Sequence, residues 1–247
     1  HDRWARLFQA LTPRITLEGG GTERPAGQFN YPVGRDSAER LNYRRDLLDR
    51  IPSDVVEHFV GVGNPFSMGE PQPGWNVVDI GCGCGLDSLM AAYYVGPTGR
   101  IRGVDMTPEM LAVARTGLDA SGLTNVELIE GKAEALPVES GWADLVISNG
   151  VLNLAFCKRS AFAEVARVLK PGGRFQAADL VLVKELPHDL QDDQFAWSNC
   201  ISGAIPGVSY LESLQLAGLV DAEIVGTSGY RTSDYTEAMY IRARKPF

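Results

Sequence analysis

The sequence is short of positive charge: Lys and Arg number 23 against 31 Asp and Glu, so the 247-residue chain carries a net charge of −8. Acidic proteins are repelled by the phosphates of nucleic acids and of anionic lipids, so neither is expected as the main partner. Long apolar runs are also missing, since no stretch approaches the roughly 20 residues that span a bilayer. Residues 1–6 contain no signal-peptide core. We therefore expect a small-molecule substrate and no membrane, and the oligomeric state stays open.

Histidine and cysteine are scarce as well. The three histidines, His1, His58 and His188, are scattered along the chain, so neither a zinc site nor a histidine general base is indicated. The four cysteines, three of which lie beside or within predicted site loops, suit reduced thiols. These features predict a cytoplasmic protein without a bound metal.

The alternation of apolar strands with amphipathic helices predicts the fold. Strands are expected near 75–80, 100–104, 125–130, 143–148 and 173–181, and helices near 86–94, 108–121 and 159–169. This order is typical of an α/β fold with right-handed crossovers and a parallel sheet. Two further strands, 222–225 and 238–244, would close the sheet as an antiparallel edge. The prediction is a Rossmann-like, doubly wound sheet of seven strands.

Two segments are predicted to lie over the sheet as lids. Residues 1–70 begin with an amphipathic stretch that Pro13, glycines 19–21 and Pro25 interrupt, so they are expected to form an N-terminal lid or cap. Tyr31 and Tyr43 could reach a ligand from this cap, or they could pack against the core. Residues 71–247 would form the binding domain, with an insertion at about 185–210, after strand five.

A glycine turn follows the first of these strands and indicates the ligand. Residues 79–85 read Asp-Ile-Gly-Cys-Gly-Cys-Gly, whereas a dinucleotide fingerprint needs its third glycine at position 86 or 88, which are Leu86 and Ser88. The Asp79 carboxylate suits a cationic ligand with an amino group. Asp105, which closes the next strand, could accept both hydroxyls of a ribose. Together these features favour S-adenosylmethionine over NAD.

Four segments, 79–85, 103–111, 134–137 and 169–174, resemble the class I S-adenosylmethionine-dependent methyltransferases. Residues 147–154 and 200–204 are similar to segments of the arsenite methyltransferases. This resemblance implies that Asp79 lies near the amino-acid part of the cofactor, Met106 against adenine, and Ala133 at the adenine edge. The complete set of expected cofactor-binding residues is Asp79, Gly81, Gly83, Gly85, Asp105, Met106, Ala133, Glu134 and Asn149.

The sequence departs from the arsenite methyltransferase pattern at its cysteines. Trivalent arsenic is soft and is held by thiolates, and the resemblance predicts cysteine at three places. Cys200 matches one of them, whereas Val62 and Gly150 occupy the other two. A single thiolate does not make a three-sulfur site, although Cys157 could supply a second one.

The candidate acceptor-site residues are Cys200, Asn153 and Trp197. Asn149 and Asn153 could hold the cofactor or the acceptor through amide hydrogen bonds, and Trp197 could form a wall of the pocket; packing is the alternative for all of them. The preferred function is methyl transfer to a small soft nucleophile, namely a thiol-bound trivalent arsenical, a sulfide, a thiol or a selenol. The alternatives are methylation of oxygen, nitrogen or carbon in a small metabolite, or binding of the cofactor without catalysis.

Overall fold

The computed structural model describes residues 33–186 and 203–247. Within them seven strands form one sheet in the order β3-β2-β1-β4-β5-β7-β6. The strands are β1 (Asn76–Ile80), β2 (Arg100–Asp105), β3 (Val126–Glu130), β4 (Ala143–Asn149), β5 (Leu169–Leu182), β6 (Val220–Thr227) and β7 (Thr236–Arg244). Strands β1 to β5 pair in parallel, and β7 pairs antiparallel with both β5 and β6. The predicted seven-stranded α/β fold is confirmed.

Seven α-helices accompany the sheet in the described residues. They are α1 (Gly34–Arg40), α2 (Arg45–Leu48), α3 (Ser53–Glu57), α4 (Leu86–Val95), α5 (Pro108–Ser121), α6 (Lys158–Val168) and α7 (Gly207–Leu216). Two short 3₁₀ turns, Pro65–Met68 and Leu152–Leu154, lie between them. Four of these helices were not predicted: α1, α2 and α3 lie within the expected cap, and the residues of α7 fell partly within the expected insertion.

The start of β5 also differs from the prediction. The sequence analysis continued the preceding helix to residue 169 and began the strand at 173, but the helix ends at Val168 and Leu169 already pairs with Ala143. The pairing shifts register before Arg174, and Gly172 adopts a φ of +76° within this irregular stretch. The Pro-Gly-Gly sequence therefore makes a bend inside the strand rather than a turn before it.

The central strands are buried on both faces, as expected for a parallel sheet covered by helices on each side. Neighbouring residues of β1 belong to different clusters: Val77 packs with α4, whereas Val78 packs with α6 and α7. This arrangement leaves the carboxyl ends of the strands as the edge where loops converge.

Residues 33–70, the described part of the predicted cap, are packed into the core. Leu48, Val55 and Val56 are fully buried in the same cluster as β1 and α4. Val55 contacts α5 closely, since a Cβ atom at Gly117 would lie 2.1 Å from its Cγ2. Residues 1–32, including Tyr31, and residues 187–202 of the predicted second lid lie outside the described residues. No helix in the described ranges has the length and apolar character that crossing a membrane requires.

Candidate active site

The glycine turn that joins β1 to α4 is built on three left-handed residues. Gly81, Gly83 and Gly85 have φ values of +72°, +52° and +92°. Residues other than glycine rarely adopt such values. The Gly81 N–H donates to Val104 O on β2 at 2.7 Å, so the turn is tied to the neighbouring strand. A Cβ atom at Gly81 would lie 2.3 Å from the Val151 side chain. Glycine is therefore required by both conformation and space.

Asp105 lies at the end of β2 and faces this turn. Its Oδ2 accepts a hydrogen bond from Gly83 N, and its Oδ1 accepts one from Thr107 N, each at 2.9 Å. These bonds leave one lone pair on each oxygen for a further donor. Burial raises the pKa of Asp105, while the N–H donors lower it. The carboxylate is therefore held in one orientation beside the backbone of the turn, as the ribose assignment requires.

The residues expected at the adenine edge lie on neighbouring loops. Met106 follows Asp105 and is partly buried, as are Ala133 and Glu134 after β3. Glu134 Oε1 accepts hydrogen bonds from Phe156 N (2.7 Å) and Cys157 N (3.3 Å), which ties the loop after β3 to the loop after β4. Glu134 thus has a structural contact besides its predicted ligand role.

Two further carboxylates are buried beneath the turn. Asp79 is 1% exposed and accepts a hydrogen bond from Ser88 Oγ at 2.7 Å. Asp87, on α4, accepts from Tyr43 OH at 2.6 Å and from Asn149 Nδ2 at 2.9 Å. Burial raises the pKa of Asp87 to about 6, and burial together with the charge of Asp87 raises the pKa of Asp79 well above its usual value.

Neither of these carboxylates forms an ion pair with Lys, Arg or His within the described ranges. Buried carboxylates without a cation are costly, and a positively charged ligand nearby would offset that cost. The site is therefore suited to a cationic ligand. Asp87 was not predicted, and its only sequence signal is its position two residues after the last glycine.

Asn149 was predicted to bind the cofactor, but its amide is engaged with the protein itself. Its Oδ1 accepts from the N–H groups of Val62 (2.8 Å) and Gly63 (3.2 Å), and its Nδ2 donates to Asp87 and to Gly63 O (2.8 Å). The Tyr43 hydroxyl, buried at 3% exposure, completes the group at 3.1 Å from Asn149 Nδ2. We call these residues, Tyr43, Val62, Gly63, Asp87 and Asn149, the amide clamp. It joins the cap, the loop at residue 62 and the cofactor turn.

Val62 and Gly150, which occupy the two missing cysteine positions, lie side by side. A Cβ atom at Gly150 would be 3.3 Å from Val62 Cγ1, and Gly150 itself has a φ of +73°. Val62 is 4% exposed and belongs to an apolar cluster with Ala178, Leu180, Tyr230 and Ala238. The positions that the resemblance links are therefore neighbours in space, on an apolar surface.

A family model described as a methyltransferase domain matches residues 71–240. The chain belongs to the methyltransferase domain family. Over 187 residues it is 38% identical to an arsenite methyltransferase of Halobacterium salinarum, covering 76% of this chain and 48% of that protein. Over 109 residues it is 39% identical to a demethylmenaquinone methyltransferase of Listeria welshimeri, covering 44% of this chain and 46% of that protein.

A crystal structure of an arsenic(III) S-adenosylmethionine methyltransferase from Chlamydomonas reinhardtii matches with a TM-score of 0.68 at 29% identity. The match covers 88% of this chain and 75% of that chain. The chain spans about half the length of the curated arsenite methyltransferases that it matches. These findings confirm the predicted S-adenosylmethionine-dependent methyltransferase and its resemblance to the arsenite methyltransferases. S-adenosylmethionine is the cosubstrate, and the glycine turn, Asp105 and the buried carboxylates fit it.

The described cysteines of the methyltransferase do not gather into a thiolate site. Cys82 and Cys84 are buried in the glycine turn, and burial raises the pKa of Cys84 to about 12. Cys157 is exposed at the start of α6, where a hydrogen bond from Ser160 Oγ lowers its pKa. No group of three His, Cys, Asp or Glu side chains able to hold a metal ion occurs among the residues that the structure describes. Cys200 and Trp197 lie outside those residues.

Asn153 lies in the loop after β4 and is 1% exposed. Its N–H donates to Asp179 Oδ2 on β5 at 3.0 Å, and Tyr210 OH on α7 donates to the same oxygen at 3.0 Å. Burial raises the pKa of Asp179 to about 7. The sequence analysis missed Asp179, although a single carboxylate within the apolar run 177–182 is a signal that could have found it.

Proposed function

We propose that this methyltransferase acts on a small soft nucleophile: a thiol-bound trivalent arsenical, or a sulfide, thiol or selenol. The observation that carries the proposal is the contact between Val62 and the Gly150 position on a buried apolar surface. A weakly solvated, polarisable acceptor loses little hydration energy when it binds against such a surface. A charged amine or carboxylate would lose much of its hydration energy there.

An arsenical would have to bring sulfur ligands of its own. Val62 and Gly150 contribute no thiolate, and Cys82 and Cys84 are buried thiols with raised pKa values. Arsenic bound to small thiols would meet an apolar wall at these positions and leave one exchange position for Cys200. The relatives named arsenite methyltransferase, at 30% to 38% identity, support this substrate class.

Each part of the site has a role in this proposal. S-adenosylmethionine, when bound, supplies an electrophilic methyl group. Asp105 would hold the ribose, and the buried carboxylates Asp79 and Asp87 would favour the cationic form of the cosubstrate over its neutral product. Asn153 and the Val62–Gly150 surface would orient the acceptor and exclude water, which is the main contribution of a protein to an in-line displacement.

A methyl-release assay tests the proposal with a panel of acceptors: glutathione-bound trivalent arsenicals, free arsenite, sulfide, simple thiols, selenols and a set of catechol, amine and quinol metabolites. The expected result is transfer to at least one soft acceptor and none to amines. Transfer only to an oxygen, nitrogen or carbon acceptor would overturn it.

Carbon methylation of a ring compound is the second candidate. The apolar surface around Val62 also suits an aromatic ring, and the match to a demethylmenaquinone methyltransferase over 109 residues supports this option. Transfer to a quinol in the same panel, with soft acceptors inactive, would favour it.

A further inference from the structure

The Asp179 carboxylate accepts several hydrogen bonds. Oδ2 accepts from Tyr210 OH and Asn153 N, both at 3.0 Å, and Oδ1 accepts from Leu180 N at 2.9 Å. The Asn153 side-chain amide, with its nitrogen turned toward Asp179, donates to Oδ1 at 2.8 Å and to Gly150 O at 3.2 Å. Four donors therefore face the two oxygens, which matches the roughly four lone-pair sites of an ionised carboxylate.

These contacts join three parts of the methyltransferase. Asn153 belongs to the loop after β4, Asp179 to β5, and Tyr210 to α7, where its buried ring packs on Phe162 with 4.8 Å between the centroids. Leu182 N, at the end of β5, donates to Ile205 O at 3.0 Å, so the residues just before α7 lie beside the end of β5. One carboxylate thus links the Asn153 loop to the helix that follows the Cys200 segment.

Two titratable groups face Asp179 from the elements around it. Tyr210 is a direct donor, and Lys158, at the start of α6, is the neighbouring cation. Lys158 Nζ donates to Asn153 O (2.9 Å) and Ala155 O (3.2 Å), so it supports the same loop. No ion pair involving Asp179 is found within residues 33–186 and 203–247.

Protonation of Asp179 would disturb its hydrogen bonds, because one of its oxygens would then carry an O–H that faces an existing donor. The backbone N–H groups of Asn153 and Leu180 are fixed, whereas the Asn153 amide can turn its oxygen toward the new O–H. That rotation would break the bond from Asn153 Nδ2 to Gly150 O, next to Val62. The buried carboxylate has its pKa raised to about 7, so the change would fall within the physiological range.

We propose that Asp179 is a positioning residue of the methyltransferase: its ionised carboxylate holds the Asn153 amide toward the Gly150 carbonyl and thereby shapes the acceptor site. The inference rests on the proposed function and names the residue that orders the acceptor loop. Acidification releases the Asn153 amide and weakens acceptor binding without affecting the cosubstrate.

The first test follows the Asn153 side-chain amide by NMR from about pH 5.5 to about pH 8.5 in the isotope-labelled protein, a range that spans the ionisation. Its signal is assigned by its loss in Asn153→Ser. We expect the signal to titrate in the wild type and to stay still in Asp179→Asn. In Tyr210→Phe the midpoint should move to higher pH, because the ionised carboxylate loses a donor. An Asn153 signal that does not titrate in the wild type would overturn the proposal.

The second test measures turnover with a glutathione-bound trivalent arsenical and cosubstrate affinity by calorimetry. We expect Asp179→Asn to raise the KM for the acceptor about tenfold or more, to lose the acidic limb of the pH profile, and to bind S-adenosylmethionine within about twofold of the wild type. Asp144→Asn is the matched control. Asp144 also accepts a backbone N–H (Asn76 N, 2.8 Å), but it lies near the amino end of β4, away from the loops at the carboxyl ends of the strands. Wild-type KM and an unchanged acidic limb in Asp179→Asn would overturn the inference.

The two tests separate this inference from the function on which it rests. A titrating Asn153 amide in a protein that methylates no soft acceptor would refute the proposed substrate class and retain the link between Asp179 and Asn153. Methylation of a soft acceptor by a protein whose Asn153 amide signal does not titrate would support the proposed substrate class and refute the link between Asp179 and Asn153. Should Asp179→Asn fail to fold, the wild-type titration and its displacement in Tyr210→Phe decide the outcome.

Discussion

At the scale of single residues, the site is defined by where carboxylates and glycines stand relative to one another. Asp105 is oriented by two backbone N–H groups, one of which belongs to the glycine turn itself. Asp79 and Asp87 lie beneath that turn without a cationic partner in the described ranges. The turn therefore combines close backbone approach with buried carboxylates whose ionised form a cation would stabilise, which suits a nucleoside that carries a sulfonium and an ammonium group.

Replacement of Asp105 by alanine should weaken S-adenosylmethionine binding by roughly 10- to 100-fold, since the ribose hydroxyls and two backbone N–H groups would lose their acceptor. Calorimetry with S-adenosylmethionine and its demethylated product measures the effect, and NAD should give no binding heat. Glu109→Ala, at an exposed position four residues further along, is the control and should bind normally. Unchanged affinity in Asp105→Ala would refute the ribose assignment.

Free arsenite without added thiol should be a poor acceptor, because Val62 and Gly150 supply no thiolate. Val62→Cys should increase arsenite methylation several-fold, since it places a sulfur beside Gly150 on a backbone that accepts any residue. Gly150→Cys should instead cost about 1–2 kcal/mol of stability, because its φ of +73° is unfavourable for a residue with a Cβ atom. Methyl release is measured with and without glutathione. Efficient thiol-independent turnover by the wild type would contradict this prediction.

At the scale of the elements, the amide clamp connects pieces that are far apart in sequence. Tyr43 lies between α1 and α2, Asp87 is the second residue of α4, and Asn149 ends β4, yet their side chains meet within hydrogen-bond distance. The clamp fixes the backbone of Val62 and Gly63 relative to the start of α4, which follows the glycine turn. Asn149 thus acts as a structural link between the two halves of the site.

Tyr43→Phe removes the hydroxyl that donates to Asp87 and should lower the free energy of unfolding by about 1–3 kcal/mol, because a buried carboxylate loses a donor. Hydrogen exchange in α1 to α3 should also become faster. Tyr93→Phe is the matched control: it removes one hydroxyl that donates to the cap at Arg50 O, but in an exposed place. Urea unfolding and exchange rates measure both variants. Equal effects in the two variants would show that burial of the amide clamp contributes nothing to the free energy of unfolding.

At the scale of the whole molecule, buried carboxylates determine how stability depends on pH. The folded protein raises the pKa of Asp87 to about 6 and of Asp179 to about 7, whereas an unfolded chain ionises such groups near pH ~4. Between these values the folded state binds more protons than the unfolded state. The free energy of unfolding must therefore fall as the pH rises through this window.

We expect the free energy of unfolding to be lower at about pH 8 than at about pH 5.5, by on the order of 2–4 kcal/mol in the absence of cosubstrate. Urea unfolding at the two pH values measures the difference. Saturating S-adenosylmethionine should reduce it, because the ligand's positive charge favours the ionised form of Asp87. Asp46→Asn, at an exposed carboxylate with a lowered pKa, should leave the difference unchanged. Stability that increases steadily over this range would contradict the expectation.

The sequence alone determined the order of the strands, the three helices between the parallel strands, the glycine turn and the cosubstrate, because each depends on local periodicity or on residues close together in the chain. The predicted start of β5 was wrong, because pairing with Ala143 begins the strand at Leu169. Helices α1, α2, α3 and α7 were not predicted, and α7 is held by the packing of Tyr210 on Phe162. The domain boundary predicted at residue 70 stays a prediction. Residues on both sides of it pack in one hydrophobic core.

Only the tertiary structure decided how the site is held together. The partners of Asn149 lie 62 to 106 residues away in sequence, and Asp179 is bonded to Asn153 and Tyr210, which lie 26 and 31 residues away. No periodicity encodes such distances, so the amide clamp and the Asp179 contacts could not be predicted. The same holds for the neighbourhood of Val62 and Gly150: the sequence showed that these two positions lack the cysteines of the pattern, and the fold showed that a side chain at position 150 would contact Val62. Turns and helix or strand periodicity depend on residues close together in the chain, so the sequence determines them. The pairing of buried donors with buried acceptors depends on how the helices and strands pack, so only the tertiary structure determines it.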